Sequence, residues 1–292
     1  MSISAASTRE ISLPPELYFV VSAVFHYLGP SFAVLLFARV EPLGVAWLRI
    51  AGAAAVFALW RRPWRGLRGR MGGVWPLICS FGVVLAVMNA CFYLAIDRLP
   101  LGTVAAIEFL PVIALAALGV RSFRNLVALA VAVVGVYALV DVRIAAEPLG
   151  FAFAFANAVL FACYIVLAHR VARRRELGRI DGLAAAMLVA TVAVTPLGGA
   201  TVVPALLDPV ALAAGVGVGI ASSVIPYVSD QLAMSSLSRA TYSLMVSLLP
   251  ATATVIGIVV LAQVPHVLEV VGVGLVVCGV ALHRELETGA QG

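Results

Sequence analysis

Apolar runs of about 20 residues succeed one another along nearly the whole 292-residue chain. At ~1.5 Å of rise per residue, each is long enough to cross a hydrocarbon core of ~30 Å. That recurrence restricts the fold more than any motif does. Lipid offers no water to backbone N–H and C=O groups, so a spanning segment must be a helix or a strand of a closed barrel. Runs of this length read as helices. Ten are expected, over 16–38, 43–60, 73–96, 101–120, 126–141, 150–168, 183–203, 209–233, 241–262 and 267–283. The composition agrees, with 63% apolar residues, 11% charged residues and a mean hydropathy of +1.10. No connection is long enough for a soluble domain. The expected fold is an all-α integral membrane protein with short tails at 1–15 and 284–292.

The first run has full spanning length and no A-x-A cleavage signal after it, so it is expected to stay attached as a helix. Cys79, Cys91, Cys163 and Cys278 all fall inside apolar runs without metal-ligand spacing and read as packing residues. No metal or cofactor is expected.

All 19 basic residues other than histidine are arginines. Threading the runs alternately through a membrane puts fifteen of them on one side, including the "RRPWRGLRGR" and "HRVARRRELGR" loops. Three, Arg39, Arg98 and Arg143, fall on the other side, and Arg49 lies within the second run. This bias places both termini in the cytoplasm. The net charge of +5 and pI near 9.3 then belong to topology and to contact with anionic lipid, not to nucleic acid.

The second half echoes the first. "LGTVAAIEFLPVIALAALGV" aligns with "ATYSLMVSLLPATATVIGIVVL" when Pro111 is placed on Pro250, which sets Glu108 opposite Ser247. "FYLAIDRL" and "DQLAMSSL" close the third and eighth runs, and the register of the first and sixth runs sets His26 opposite Asn157. Five helices per unit is an odd number, so the second copy enters the membrane from the opposite side. The expectation is two inverted five-helix repeats, 16–141 and 150–283, an arrangement that secondary transporters use to open one central site to each side in turn.

Polar residues inside the spans mark candidate positions for that site, because an ionisable group at membrane depth is costly and faces a partner or a water-filled cavity. Arg49, Asn89 and Glu108 fall at similar depths, and Tyr93 follows Asn89 by one helical turn. Two readings of Arg49 and Glu108 stand open. They form a structural ion pair, or Glu108 binds a proton or a substrate amine while Arg49 holds a carboxylate or keeps Glu108 ionised. Ser223, Tyr227 and Asp230 share a face of the eighth run, with Asp230 near enough to its end to reach headgroup water. Pro30, Pro111, Pro226 and Pro250 each free a carbonyl one turn back, as kinks or as hinges. His26, Asn157 and Tyr164 are either packing residues or cavity-lining ones. Gly215, Gly217 and Gly219 in "GVGVG" read as a helix-packing face, since no strand precedes them and no Lys-Ser/Thr follows. No Walker motif, His-Glu-x-x-His or Gly-x-Ser-x-Gly occurs, which argues against an ATP-driven pump and the commoner hydrolases.

The stretches "LRIAGAAAVFALWRRPW", "NACFYLAIDRLPLGTVAAIEFLP", "SSVIPYVSDQLAMSSLSRATYSLMVSLLPA" and "GVGLVVCGVAL" resemble the drug/metabolite transporter superfamily, EamA family, and within it the threonine and homoserine exporter branch. The resemblance implies a bacterial inner-membrane exporter, not an enzyme, driven by protons and acting on small zwitterionic metabolites such as amino acids. Carried over by position, it points to Arg49, Asn89, Tyr93 and Glu108 in the first half and Ser223, Pro226, Tyr227 and Asp230 in the second. Leu249 and Ala262-Gln263 stand where the family commonly has carboxylates, which places coupling on Glu108 and Asp230. An uncoupled facilitator and an exporter of another metabolite are the alternatives, with an intramembrane enzyme a distant third. Substrate, protons and lipid are the expected partners, and a homodimer is left open. If the arginine bias sets orientation, a reporter fused after residue 284 reads cytoplasmic; a periplasmic reading would overturn the topology.

Overall fold

The computed structural model describes residues 14–64, 71–119, 122–143, 147–174, 179–226, 228–229 and 248–282. Among them are eleven α-helices and no strand: α1 (Pro15–Leu36), α2 (Pro42–Arg61), α3 (Met71–Ile96), α4 (Leu101–Gly119), α5 (Phe123–Arg143), α6 (Pro148–Arg173), α7 (Arg179–Gly198), α8 (Val203–Leu207), α9 (Pro209–Gly219), α10 (Leu249–Leu261) and α11 (Val267–Leu282). A π-helical turn, Ile220–Val224, continues α9. By length and apolarity α1, α2, α3, α6 and α7 qualify as membrane spans, while α4, α5, α9, α10 and α11 supply shorter apolar segments. The one-turn α8 was not among the ten expected runs.

Local chemistry sets the boundaries. Proline occupies the first turn of α1, α2, α6, α8, α9 and α10, where its missing N–H is not needed and its φ is already helical. The expected break at Pro250 is therefore the opening turn of α10. Asp208 caps α9 by accepting from Val210 N at 2.9 Å. The backbone N–H groups of Val210 and Ala211 hold its carboxyl below the usual value, and Arg39 adds to the effect. The chain leaves α2 through Arg62 and α10 through Ala262, both left-handed.

The bundle exposes large apolar residues and encloses a small set of polar ones within its apolar core. Phe123, Val259 and Val192 are 83%, 76% and 74% exposed, whereas Arg49, Asn89, Glu108, Asn157 and Ser222 are buried. That inversion suits lipid as the surrounding solvent. Of the four cysteines, Cys79, Cys163 and Cys278 are exposed and Cys91 is half-buried, so the packing role expected of the first three is not what their burial shows.

Helices before residue 143 pack largely on helices after residue 148. α5 lies on α11, α3 on α6 and α7, α2 on α7 and α9, α4 on α6 and α10, and α1 on α10, α9 and the π turn. Small residues make the closest crossings. A Cβ on Gly135 would stand 2.7 Å from the Gly272 carbonyl oxygen, and one on Gly279 would stand 2.8 Å from that of Ala128. Gly215 meets Leu48 and Gly219 meets the Arg49 carbonyl, while Gly217 faces open space. The packing face of "GVGVG" is therefore its first and third glycines.

Contacts between helix ends sort them into two sets. At the start of α2, Arg39 pairs with Asp208 at 3.3 Å and the Trp47 indole N–H donates to Thr195 at 3.0 Å. At its far end, Arg61 pairs with Asp181 at 2.8 Å. Leu101 N donates to Gln263 Oε1 at 3.1 Å, and Arg124 Nε to the Leu282 carbonyl at 2.7 Å. Because α5 and α11 touch backbone to backbone, Gly135→Leu should cost about 1–3 kcal/mol by overpacking and lower the melting temperature of the detergent-purified protein. Gly217→Leu should leave it unchanged. Equal stability of both variants would remove the tight crossing.

Candidate functional site

Near the middle of α2 the Arg49 side chain turns inward and is only 9% exposed as a residue. A buried guanidinium requires partners. They come from the π turn that continues α9, where Pro226 has no N–H to offer the turn before it. Arg49 Nη2 donates to the Ser222 carbonyl at 3.2 Å, and Nε donates to Ser223 Oγ at 3.3 Å. The guanidinium also lies 5.6 Å from the centroid of the Tyr93 ring. Small residues admit the turn to this position. Gly219 meets the Arg49 backbone and Gly29 of α1 meets Ser222, while Ser22 Oγ donates to the Pro226 carbonyl at 3.3 Å.

Glu108, on α4, is 6% exposed and accepts from Asn157 Nδ2 of α6 at 3.2 Å. It does not pair with Arg49: among the described residues the ion pairs are Arg39–Asp208, Arg61–Asp181 and Arg98–Asp97. The structural ion pair weighed from the sequence is thus not formed. Each charge is held by neutral groups of the other half of the chain. Asn89 does not bridge them either, because its amide donates back to the Leu85 carbonyl at 2.8 Å.

Around these two charges stand four buried polar atoms without a hydrogen-bond partner among the described residues: Tyr27 Oη, Tyr93 Oη, Asn157 Oδ1 and Ser222 Oγ. The Tyr93 hydroxyl sits beside Arg49 and Ser222, and Tyr27 is within electrostatic range of Glu108. A buried unsatisfied donor or acceptor costs about 1–3 kcal/mol. Four in one place make a centre equipped to hydrogen-bond a polar solute and its water.

The remaining candidates divide. His26 meets the Tyr27 ring edge-on at 5.1 Å, one residue from this centre. Tyr164 stacks on Phe161 at 5.9 Å and lies 5.4 Å from Phe81, in an aromatic cluster nearer the end of α6. Pro30 and Pro111 lie inside continuous helices. Tyr227, Asp230 and Ser247 lie outside the described residues. Sequence reasoning missed Tyr27 and Ser222. Ser222 was passed over because α-helical spacing selected Ser223, whereas a π turn holds an extra residue and brings both serines to Arg49. Tyr27 carried a signal that was not used, a hydroxyl beside His26 and one turn before Pro30.

A second polar region lies toward the Leu101 end of α4. A cavity of about 360 Å³ there is lined by Asp97, Arg98, Thr103, Thr254, Gln263 and Glu269, among others. Glu269 is 2% exposed and its Oε2 accepts from His266 N at 2.8 Å, capping α11.

The fold and the central site define a class, a helical membrane bundle whose ionisable groups face its interior, as they do where solutes or ions pass through protein. Within that class, residues 148–284 match the model of the EamA-like transporter family. The chain is 29% identical over 253 residues to the threonine/homoserine exporter RhtA of Escherichia coli K12, covering 85% of this chain and 84% of that protein. It is 28% identical over 261 residues to the protein of the same name from Salmonella typhimurium LT2, covering 88% and 87%. A crystal structure only 21% identical in sequence covers 92% of this chain and 98% of its own with a TM-score of 0.59, so the two share a fold.

If Asn157 is the partner of Glu108, Glu108→Gln should fold normally, since an amide oxygen accepts the same bond. Asn157→Leu, which leaves the carboxyl without that donor, should lose about 1–3 kcal/mol in thermal unfolding. Loss of the same size in both would reject the pairing.

Proposed function

We propose that this chain is a secondary transporter of a bacterial inner membrane that exports small zwitterionic metabolites, threonine and homoserine foremost. The observation that carries the reading is the division of the buried centre into a guanidinium pole at Arg49 and a carboxyl pole at Glu108, with four unpartnered polar atoms around them. A zwitterion presents one charge to each pole. The named relatives supply the solute class. No nucleophile with its base emerges among the candidate residues, so transport is preferred to catalysis.

The cycle we propose is alternating access between two inverted repeats, 16–141 and 150–283, with both termini in the cytoplasm. The helix pairings support the pseudo-twofold relation. Exchanging each helix for its counterpart in the other repeat turns the α4–α6 contact into α10–α1, α3–α6 into α9–α1, and α3–α7 into α9–α2. The α2–α7, α4–α10 and α5–α11 contacts map onto themselves. A solute between the poles touches groups of both repeats, because Arg49 and Glu108 belong to one repeat and Ser222, Ser223 and Asn157 to the other. Rearrangement of the halves then carries the solute across. Glu108 takes up a proton from outside once the solute has left, and the neutral carboxyl favours the return.

The test is uptake of labelled threonine and homoserine by inside-out vesicles, with and without an acidic lumen. Wild type should accumulate both, more strongly with the gradient. Glu108→Gln should lose the gradient-driven part and keep solute exchange. Equal uptake with and without the gradient makes the protein an uncoupled facilitator, and absence of uptake by folded protein overturns the assignment of these solutes.

A further inference from the structure

We propose that the π turn at Ile220–Val224 is a latch, in which the Ser222 carbonyl and the Ser223 hydroxyl occupy Arg49 in place of a carboxylate and are displaced when an anionic group arrives. Three independent features meet here. The Ser222 carbonyl lies in a π turn, where the α-helical ladder is interrupted and Pro226 offers no N–H, and it accepts from Arg49 Nη2 at 3.2 Å. Two adjacent oxygens, at 3.2 and 3.3 Å from two nitrogens of one guanidinium, imitate the two-oxygen acceptor that an arginine fork prefers. Finally, Tyr93 Oη and Ser222 Oγ lie beside the fork, and neither has a hydrogen-bond partner of full geometry among the described residues, which leaves two hydroxyl groups to turn toward the oxygens of an incoming carboxylate.

Displacement has a direct consequence. A carboxylate that takes the fork leaves the Ser222 carbonyl without its Arg49 donor. The turn then stays in place less firmly, and it is the continuation of α9, which packs on α1 and α2. Occupancy of Arg49 is thereby reported to helices on both sides of the centre.

The inference rests on the proposed function only for the identity of the solute, and hydrogen exchange of the backbone amides of 220–226 in the full-length protein separates the two. In solute-free protein, Arg49→Ala should speed exchange in this segment about tenfold, as expected for loss of a hydrogen bond to a charged group. Arg49→Lys, a point charge without the fork, should shift it in the same direction and serves if the alanine variant does not fold. Unchanged exchange in the Arg49 variants overturns the latch. L-Threonine should then speed exchange in wild type while its methyl ester, which lacks the carboxylate, does not. Acceleration by both overturns displacement by a carboxylate. Silence of both, with the Arg49 variants behaving as expected, counts against threonine as the solute and hence against the proposed function.

Discussion

A polar group within hydrocarbon can be satisfied only by other parts of the protein, and the architecture follows from where those partners come from. Arg49 depends on the Ser222 carbonyl of the π turn. Glu108 depends on the Asn157 amide. Neither charge is neutralised by the other, so both keep their character and both remain open to something brought from outside. A direct pair would have consumed that capacity. Holding two opposite charges apart with neutral donors and acceptors is costly in a low-dielectric interior, and the unpartnered hydroxyls of Tyr27 and Tyr93 add to the cost. Such expense concentrates where a protein handles a polar cargo.

The surrounding helices bring these groups together by close contact. Where a bundle faces lipid there is little hydrophobic gain from helix association, so interfaces rely on small residues that let backbones approach. Gly219 permits α9 to lie against the Arg49 turn, and Gly29 permits α1 to lie against Ser222. The same glycines that close the bundle therefore set the depth of the π turn, and with it the distance between the serines and the guanidinium. Stability and site geometry are fixed by the same atoms.

Much of this was legible in the sequence and some was not, for identifiable reasons. Run length and apolarity disclosed the helical membrane class, because the backbone of a spanning segment has so few alternatives. Arg49, Glu108, Tyr93, Asn157 and Ser223 were visible as polar residues at membrane depth. Their partners were not. Depth alone made Arg49 and Glu108 level, but it carries no information on rotation about the helix axis, and that rotation sends them to different neighbours. Asn89 looked like a third member of the cluster until its amide was seen to bond its own helix, a local alternative that polar side chains always have. Ser222 was hidden by the assumption of 3.6 residues per turn, which fails in the π segment. Pro250 read as a break in a span and proved to be a first-turn residue of α10.

The long sequence separation of these contacts bears on how the protein is made. Arg49 and the serine pair that receives it are 173 and 174 residues apart. At a synthesis rate of ~5–20 residues per second, the serines follow Arg49 by roughly 10–35 s. For that interval the guanidinium in the second helix lacks both of its hydrogen-bond acceptors, and Glu108 waits a shorter time for Asn157, 49 residues on. The early helices must therefore linger beside the insertion machinery, or at the lipid headgroups, until the second half arrives to receive them.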